Sequence, residues 1–174
     1  MLKIAIAGPA CAGKTTISDY ITKYYTKIRK IKFADPLYAI NDVLGVEKQR
    51  CFMQDMSELA KKHFGMDIFV KIFHDNVNKQ IDMSHNEIVV CDDMRHVIEY
   101  QSCYKDWVVI YIDTKEDIRK KRSDELGLDW NPDHLSEKEY LEFKDLCSYQ
   151  ISNNGTKEEL YKQIDSIILD LTDK

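Results

Sequence analysis

Gly8-Pro9-Ala10-Cys11-Ala12-Gly13-Lys14-Thr15 is the stretch on which the reading of this chain turns. Leu2 to Ala7, immediately before it, reads as a short buried strand with Ile4-Ala5-Ile6-Ala7 unbroken. Lys14 to Tyr25, immediately after it, carries Ile17, Tyr20, Ile21, Tyr24 and Tyr25 at the spacing of one helix face. A strand, a G-x-x-x-x-G-K-[ST] loop and a helix in that order make a phosphate cradle. Glycines let the backbone turn tightly enough for its N–H groups to converge on an anion. The helix start adds its positive dipole end. Lys14 is expected to reach the outer phosphates of a nucleoside triphosphate, and the Thr15 hydroxyl to ligate Mg²⁺. Gly8, Cys11, Ala12, Gly13, Lys14, Thr15 and Thr16 are the candidate nucleotide-binding residues.

Working outward, Ile31 to Ala34 reads as a second strand, and Asp35-Pro36 as a helix start, with Asp able to cap and Pro pre-set for the first turn. A mostly helical stretch runs from Pro36 to about Gln80, with Phe69, Ile72, Phe73 and Val77 on one apolar face. Glu87 to Cys91 is a strand, Arg95 to Tyr104 a helix, and Trp107 to Ile112 the strongest strand. Thr114 is placed to cap the next helix, which extends to about Leu126. Ser136-x-x-Glu139 and Thr156-x-x-Glu159 read as capping boxes, each opening a helix. Gln150 to Ser152 is a last short strand, Asn153-Asn154-Gly155 a turn, and Leu160, Ile164, Ile167, Ile168 and Leu171 stripe the final helix. Apolar strands alternating with helices imply βαβ units and a parallel sheet in one α/β domain spanning residues 1–174.

The composition excludes several classes. With 174 residues, 44% apolar and 32% charged, the chain is long enough for a core and too apolar to be disordered. The longest apolar run, Trp107 to Ile112, falls far short of the ~20 residues of a spanning helix. Twenty-five basic and 30 acidic residues give a net charge of −5, which argues against a nucleic-acid partner. Five scattered cysteines without a C-x-x-C pair, and no secretory leader, suit reduced thiols in the cytoplasm. His63, His74, His85 and His96 recur every eleven residues, but that is not the tight pairing that zinc sites use.

A second cluster follows from the strand Ile88-Val-Val-Cys91. Asp92 and Asp93 emerge at its carboxyl end, where open α/β sheets bind ligands and where a carboxylate can serve Mg²⁺. Either could be that carboxylate. Arg95, two residues on, is placed to clamp a phosphate with its guanidinium fork. Arg119, Lys120, Lys121 and Arg122 form a basic run with two readings: a solvated helix face paired with Asp117 and Asp124, or arginines that neutralise a transferring phosphate.

With Phe33-Ala-Asp-Pro-Leu37, Phe64-Gly-Met-Asp-Ile-Phe-Val70, Asp93-Met-Arg95 with Glu99, His134-Leu-Ser-Glu137 and Ile151-Ser-Asn-Asn-Gly-Thr156 in that order after the loop, the chain resembles the (deoxy)nucleoside monophosphate kinases of the P-loop kinase superfamily, especially the phage-type deoxynucleotide monophosphate kinase group. Where that group commonly has Phe-Pro-Asn-Glu after the arginine, this chain has His96-Val97-Ile98-Glu99. The resemblance implies a three-layer, doubly wound five-stranded parallel sheet with a helical substrate-binding region and a lid over approximately 119–136. It implies transfer of the ATP γ-phosphoryl group to a nucleoside monophosphate with Mg²⁺, by a monomer or homodimer that has no membrane partner. Lys14, Asp93, Arg95, Arg119 and Arg122 would then be catalytic, and Asp35, Phe69 and Arg95 would line the acceptor site. Asn154 and Gly155 would lie near the ATP base, and Thr15, Asp92 and Asp93 would serve the metal. Dephospho-coenzyme A kinase, another small-metabolite kinase of this fold, and a non-catalytic nucleotide-binding protein are the alternatives. The sequence leaves the preferred base and the sugar open.

Overall fold

A computed structural model describes residues 1–47, 49–83, 88–128, 130–131 and 137–172. Five parallel strands form one sheet: β1 (Leu2–Ala7), β2 (Ile28–Lys30), β3 (Ile88–Met94), β4 (Val108–Asp113) and β5 (Tyr149–Ser152), in the spatial order β2-β3-β1-β4-β5. Among the described residues, seven α-helices connect or follow them: α1 (Lys14–Tyr24), α2 (Asp35–Leu44), α3 (Arg50–Phe64), α4 (Ile68–Met83), α5 (Val97–Cys103), α6 (Glu116–Glu125) and α7 (Lys157–Thr172). The chain leaves the central strand β1 toward β3 on one side and returns to β4 on the other. A crevice therefore opens at the carboxyl end of β1, where the connections diverge.

Alternation along each strand sorts the core into two layers of different chemistry. Ile4, Ile6, Val90, Ile110 and Ile112 meet Ile17 and Ile21 of α1 and Leu160, Ile164 and Ile168 of α7 in an aliphatic layer. On the other face β1 offers only Ala5 and Ala7, and the space they leave is filled by Phe33, Phe73, Tyr100, Trp107 and Phe143. Phe73 of α4 stacks on Phe33 at 4.0 Å between ring centroids and lies 5.3 Å from Trp107. It pins the helical region α2–α4 to the sheet.

Local departures from the sequence reading each have a visible cause. The second strand is Ile28–Lys30, not Ile31–Ala34. Ile31 still donates to the Val90 carbonyl, but the Phe33 and Ala34 amides are drawn off the ladder by the Asp93 carboxylate, at 3.1 and 2.9 Å. Asp35 does not cap α2. Ala34 is the N-cap, and Asp35 accepts the Lys32 amide at 2.9 Å. The helix expected from Arg95 starts at Val97, because Glu99 Oε2 accepts the Arg95 and His96 amides at 2.7 and 3.0 Å. Thr114 does not cap α6, whose N-cap is Lys115. No helix opens at Glu139, only two short 3-10 turns, Glu139–Glu142 and Lys144–Leu146. The Glu139 carboxylate is instead taken by the Val97 amide and the His96 ring. Ser136, the other half of that expected box, lies outside the described residues. The box at α7 forms: Glu159 accepts the Thr156 amide at 2.8 Å, and its own amide donates to the Thr156 hydroxyl at 3.2 Å.

All five cysteines are free thiols. Among the described residues, no helix is long and apolar enough to cross a membrane. Phe73, only 1% exposed, is the test of the aromatic layer. Phe73→Ala is expected to cost about 3–5 kcal/mol, read as a lower urea midpoint at unchanged slope.

Candidate active site

A backbone that turns its N–H groups inward turns its carbonyls outward, and these need donors of their own. The loop after β1 finds them on the neighbouring elements. The Ala12 carbonyl accepts the Asn153 side-chain amide at 2.7 Å and the Thr114 hydroxyl at 3.0 Å. The Cys11 carbonyl accepts Arg122 at 3.2 Å, and the same guanidinium donates to the Asn153 carbonyl at 3.1 Å. The Ala10 N–H donates to the buried Glu137 carboxylate at 2.7 Å. Glycine is required at two points. Gly8 has φ +143°, and a Cβ there would meet the Ile112 carbonyl at 2.9 Å. Gly13 has φ +106°, and a Cβ would collide with the Asn153 amide. Cys11 takes up φ +59° without being a glycine.

Lys14, 6% exposed, folds back on its own loop and donates to the Gly8 and Pro9 carbonyls at 2.7 and 2.6 Å. Burial, with the nearby Arg95 guanidinium, pushes its pKa down to about 7. Anionic phosphates at the loop would reverse that, because they stabilise the charged ammonium.

The two aspartates point to opposite faces of β3 and hold different jobs. Asp93, on the aromatic face with Cys91, is engaged by the Phe33 and Ala34 amides and by the Cys91 thiol at 3.2 Å. Asp92 faces α1, and its side chain is 1% exposed. The buried Ser18 hydroxyl lies beside it and helps hold its pKa down, but among the described residues neither group makes a hydrogen bond of good geometry. Lys32 Nζ approaches Asp92 Oδ1 at 2.9 Å and Lys30 Nζ approaches Oδ2 at 3.8 Å. Burial would raise the Asp92 pKa, but these lysines outweigh it and hold the carboxyl below its usual value. An under-coordinated carboxylate in the same cavity as Thr15 suits a hard cation that keeps waters and phosphates as its remaining ligands. Among the described residues, no three His, Cys, Asp or Glu side chains converge into a cage. Thr15 and Asp92 therefore fit Mg²⁺ better than Asp93 does.

One cavity of about 530 Å³ joins these groups. One half of it is walled by the loop from Cys11 to Thr16, by Arg122 and Asn153, and by Lys157. Its other half is walled by Lys32, Tyr38 and Arg95. Arg95 NH1 pairs with Glu137 Oε1 at 3.2 Å, so Glu137 ties the loop to the arginine. Glu99 fixes the Arg95 backbone from behind.

Of the residues expected from sequence, Cys11, Ala12, Gly13, Lys14, Thr15, Thr16, Asp92, Asp93, Arg95 and Arg122 line this cavity. Gly8, Asp35, Phe69, Arg119, Asn154 and Gly155 do not. Phe69 is a buried apolar residue, 8% exposed. Arg119 donates to the Thr114 carbonyl at 3.2 Å and stacks under Trp130. Asn154 accepts the Lys115 amide at 2.8 Å and Gly155 is exposed beside Glu159. The basic run divides between its two readings: Arg119 and Arg122 turn inward, whereas Lys120 pairs with Asp124 and Lys121 with Glu125 at the surface. Residues 129 and 132–136 of the expected lid, His134 among them, lie outside the described residues. Lys32, Tyr38, Thr114, Asn153 and Lys157 were not anticipated. Asn153 alone had a signal, its place in the Asn-Asn-Gly turn beside two residues that were chosen.

No protein-family model matches the chain, and no curated protein matches it in sequence. Solved structures do. Shikimate kinase from Acinetobacter baumannii in complex with shikimate is 14% identical with a TM-score of 0.56, over 100% of this chain and 96% of that one. TT1252 from Thermus thermophilus is 15% identical with a TM-score of 0.62, over 98% and 97%. Shikimate kinase from Aquifex aeolicus is 13% identical with a TM-score of 0.56, over 98% of each chain. At this identity the likeness establishes the fold: three layers around a five-stranded parallel sheet, as in the P-loop kinases.

Glu99 supplies a pH test. Burial, with Asp93 nearby, pushes its pKa up from 4.5 to about 8. The folded state then binds a proton more tightly than the unfolded chain between those values. The stability this contributes is complete below the lower value and is lost as pH rises through the upper one. Glu99→Gln keeps the oxygen that accepts the two amides and removes the titration. The wild-type urea midpoint is expected to fall relative to that of Glu99→Gln between about pH 5 and about pH 8.

Proposed function

We propose that this chain transfers the γ-phosphoryl group of ATP to a nucleoside monophosphate, deoxy or ribo, giving ADP and the nucleoside diphosphate. The observation that carries the reading is a single cavity with a phosphate loop at one end and Lys32 and Arg95 at the other. Phosphoryl transfer asks a protein chiefly to position two anions and cancel their repulsion. The loop amides and Lys14 suit the donor's outer phosphates, with Lys14 exchanging its two carbonyl partners for phosphate oxygens. Arg122 clamps the loop from outside through the Cys11 carbonyl and so keeps the cradle in shape. Thr15 and Asp92 would hold Mg²⁺, which when bound neutralises charge on the donor's phosphate oxygens. Arg95, with NH1 fixed by Glu137, keeps its other nitrogens for the acceptor's phosphate. An acceptor oxygen bonds to the γ-phosphorus as the bond to the β–γ bridging oxygen breaks, and that electron pair leaves with ADP.

The resemblance set out under Sequence analysis supports the acceptor class, and the kinases among the structural neighbours support a phosphotransferase. The Glu137 carboxylate beside Arg95 favours one rival, a hydroxyl acceptor such as those of shikimate or dephospho-coenzyme A. An attacking hydroxyl must lose its proton, and a carboxylate can take it.

ADP release measured over a panel of ribo- and deoxynucleoside monophosphates, with dephospho-coenzyme A and shikimate alongside, separates the two readings. Turnover confined to the monophosphates is expected, and turnover of a hydroxyl acceptor alone would replace the proposal. Lys14→Ala is expected to remove turnover by at least ~10³-fold while the protein stays folded by circular dichroism. Near-normal ADP release from that variant would sink the donor assignment. Arg95→Lys keeps the charge and loses the fork. Its kcat/KM for the acceptor should fall by about 2–4 kcal/mol, chiefly through acceptor KM, with ATP KM moving much less. Kinetics varying each substrate in turn check this split.

A further inference from the structure

We propose that Lys32 works in two positions: it neutralises Asp92 while no divalent cation is bound there, and it serves the acceptor's anionic group once one is. The acceptor half of this inference rests on the function proposed above. The starting point is a mismatch at the floor of the cavity. Asp92 is a carboxylate with 1% of its side chain exposed, beside the buried Ser18 hydroxyl, and among the described residues neither makes a hydrogen bond of good geometry. The nearest positive charge is Lys32 Nζ, 2.9 Å from Oδ1, on a side chain that is 25% exposed. Lys30 is no substitute, since it stands 3.8 Å from Oδ2 and bonds Asp19 at 2.6 Å. Without Lys32, only the more distant Lys30 and the Ser18 hydroxyl would offset the buried Asp92 charge, and losing the near partner of a buried charge is destabilising.

A divalent cation at Asp92 changes the balance. Charges in near contact inside a partly buried site interact strongly, and a doubly charged ion doubles the repulsion felt by the ammonium. Lys32 has somewhere to go. Its backbone is held by the Asp35 carboxylate on the Lys32 amide, so only the flexible four-carbon stem needs to turn. Its ammonium already lies 5.8 Å from the Tyr38 ring centroid, and Lys32, Tyr38 and Arg95 wall the same half of the cavity. The displaced charge therefore enters the region where the acceptor's phosphate would bind. Cation and acceptor then help each other bind, and by linkage they do so equally in both directions.

The test needs no turnover in its first arm. Mn²⁺ binding in the presence of ADP is followed by electron paramagnetic resonance for the wild type, Lys32→Met and Lys32→Gln. Lys32→Gln retains a hydrogen-bond donor toward Asp92 and guards against a folding failure of the methionine variant. Either folded variant is expected to bind Mn²⁺ on the order of tenfold more tightly, because its competitor is gone. In the second arm, the acceptor KM is expected to rise on the order of tenfold. The two effects have opposite signs, whereas a purely structural lysine would weaken both. Unchanged or weaker Mn²⁺ binding overturns the proposal, whichever acceptor the enzyme takes. Tighter Mn²⁺ binding with an unchanged acceptor KM overturns its acceptor half. Failure of the proposed function is distinct from both: the wild type turns over no nucleoside monophosphate, which removes the acceptor half while the Mn²⁺ arm still reports on Lys32 and Asp92.

Discussion

The site depends on the outward carbonyls of one loop. A phosphate cradle converges N–H groups, which sets its carbonyls facing the protein, and each must be met by a donor that is itself held in place. Asn153 reaches the Ala12 carbonyl from the end of β5, Thr114 reaches it from the end of β4, and Arg122 reaches Cys11 from α6. All three come from the side of the sheet beyond β1. The far strands β4 and β5 thus contribute the scaffold of the loop. Arg119 extends the scaffold one layer further by holding the Thr114 carbonyl. The side of the cavity walled by Lys32, Tyr38 and Arg95 comes from β3 and the segment after β2, so the cavity is built from opposite wings of the sheet.

Strand alternation then divides labour between two adjacent carboxylates. Asp92 falls on the aliphatic face with α1 and the loop, and Asp93 on the aromatic face with the segment leading into α2. Asp93 spends both oxygens on backbone amides and so fixes where the chain leaves β2. That position in turn fixes Lys32. The neutralising lysine of Asp92 is therefore positioned by its neighbour Asp93, through backbone rather than by contact.

What was legible in the sequence was whatever rests on period or on a contiguous motif. The strand–loop–helix opening, four of the five strands and the stripe of α7 follow from short apolar runs and helical period, which act over a few residues. That residues 11–16, Asp92, Asp93 and Arg95 would come together in one cavity was legible from their spacing. Three of the misreadings share one cause: a polar side chain is used at long range. Thr114 serves Ala12, Glu139 serves Val97, and Asp93 takes the amides that would have extended β2. Glu137 and Lys32 were illegible as site residues for the same reason. Their partners are 127 residues away in one case and on a different strand in the other, and nothing in a single sequence pairs them.

The resting site is a set of internal substitutes. Lys14 rests on its own loop's carbonyls, Arg95 on Glu137, and Asp92 on Lys32. Each functional charge is paired before any ligand arrives, which spares the fold the heavy penalty of unpaired buried charge. The substitutes differ in how replaceable they are. Two neutral carbonyls compete poorly with phosphate for an ammonium whose pKa burial has brought down to about 7. A single lysine on a flexible stem competes poorly with a divalent ion for Asp92. The Glu137 carboxylate is another matter: it is 6% exposed and anchored on the Ala10 amide as well as on Arg95. It therefore stays with its arginine and sets the guanidinium's direction, while the two lysine contacts are the ones that the proposed ligands would exchange.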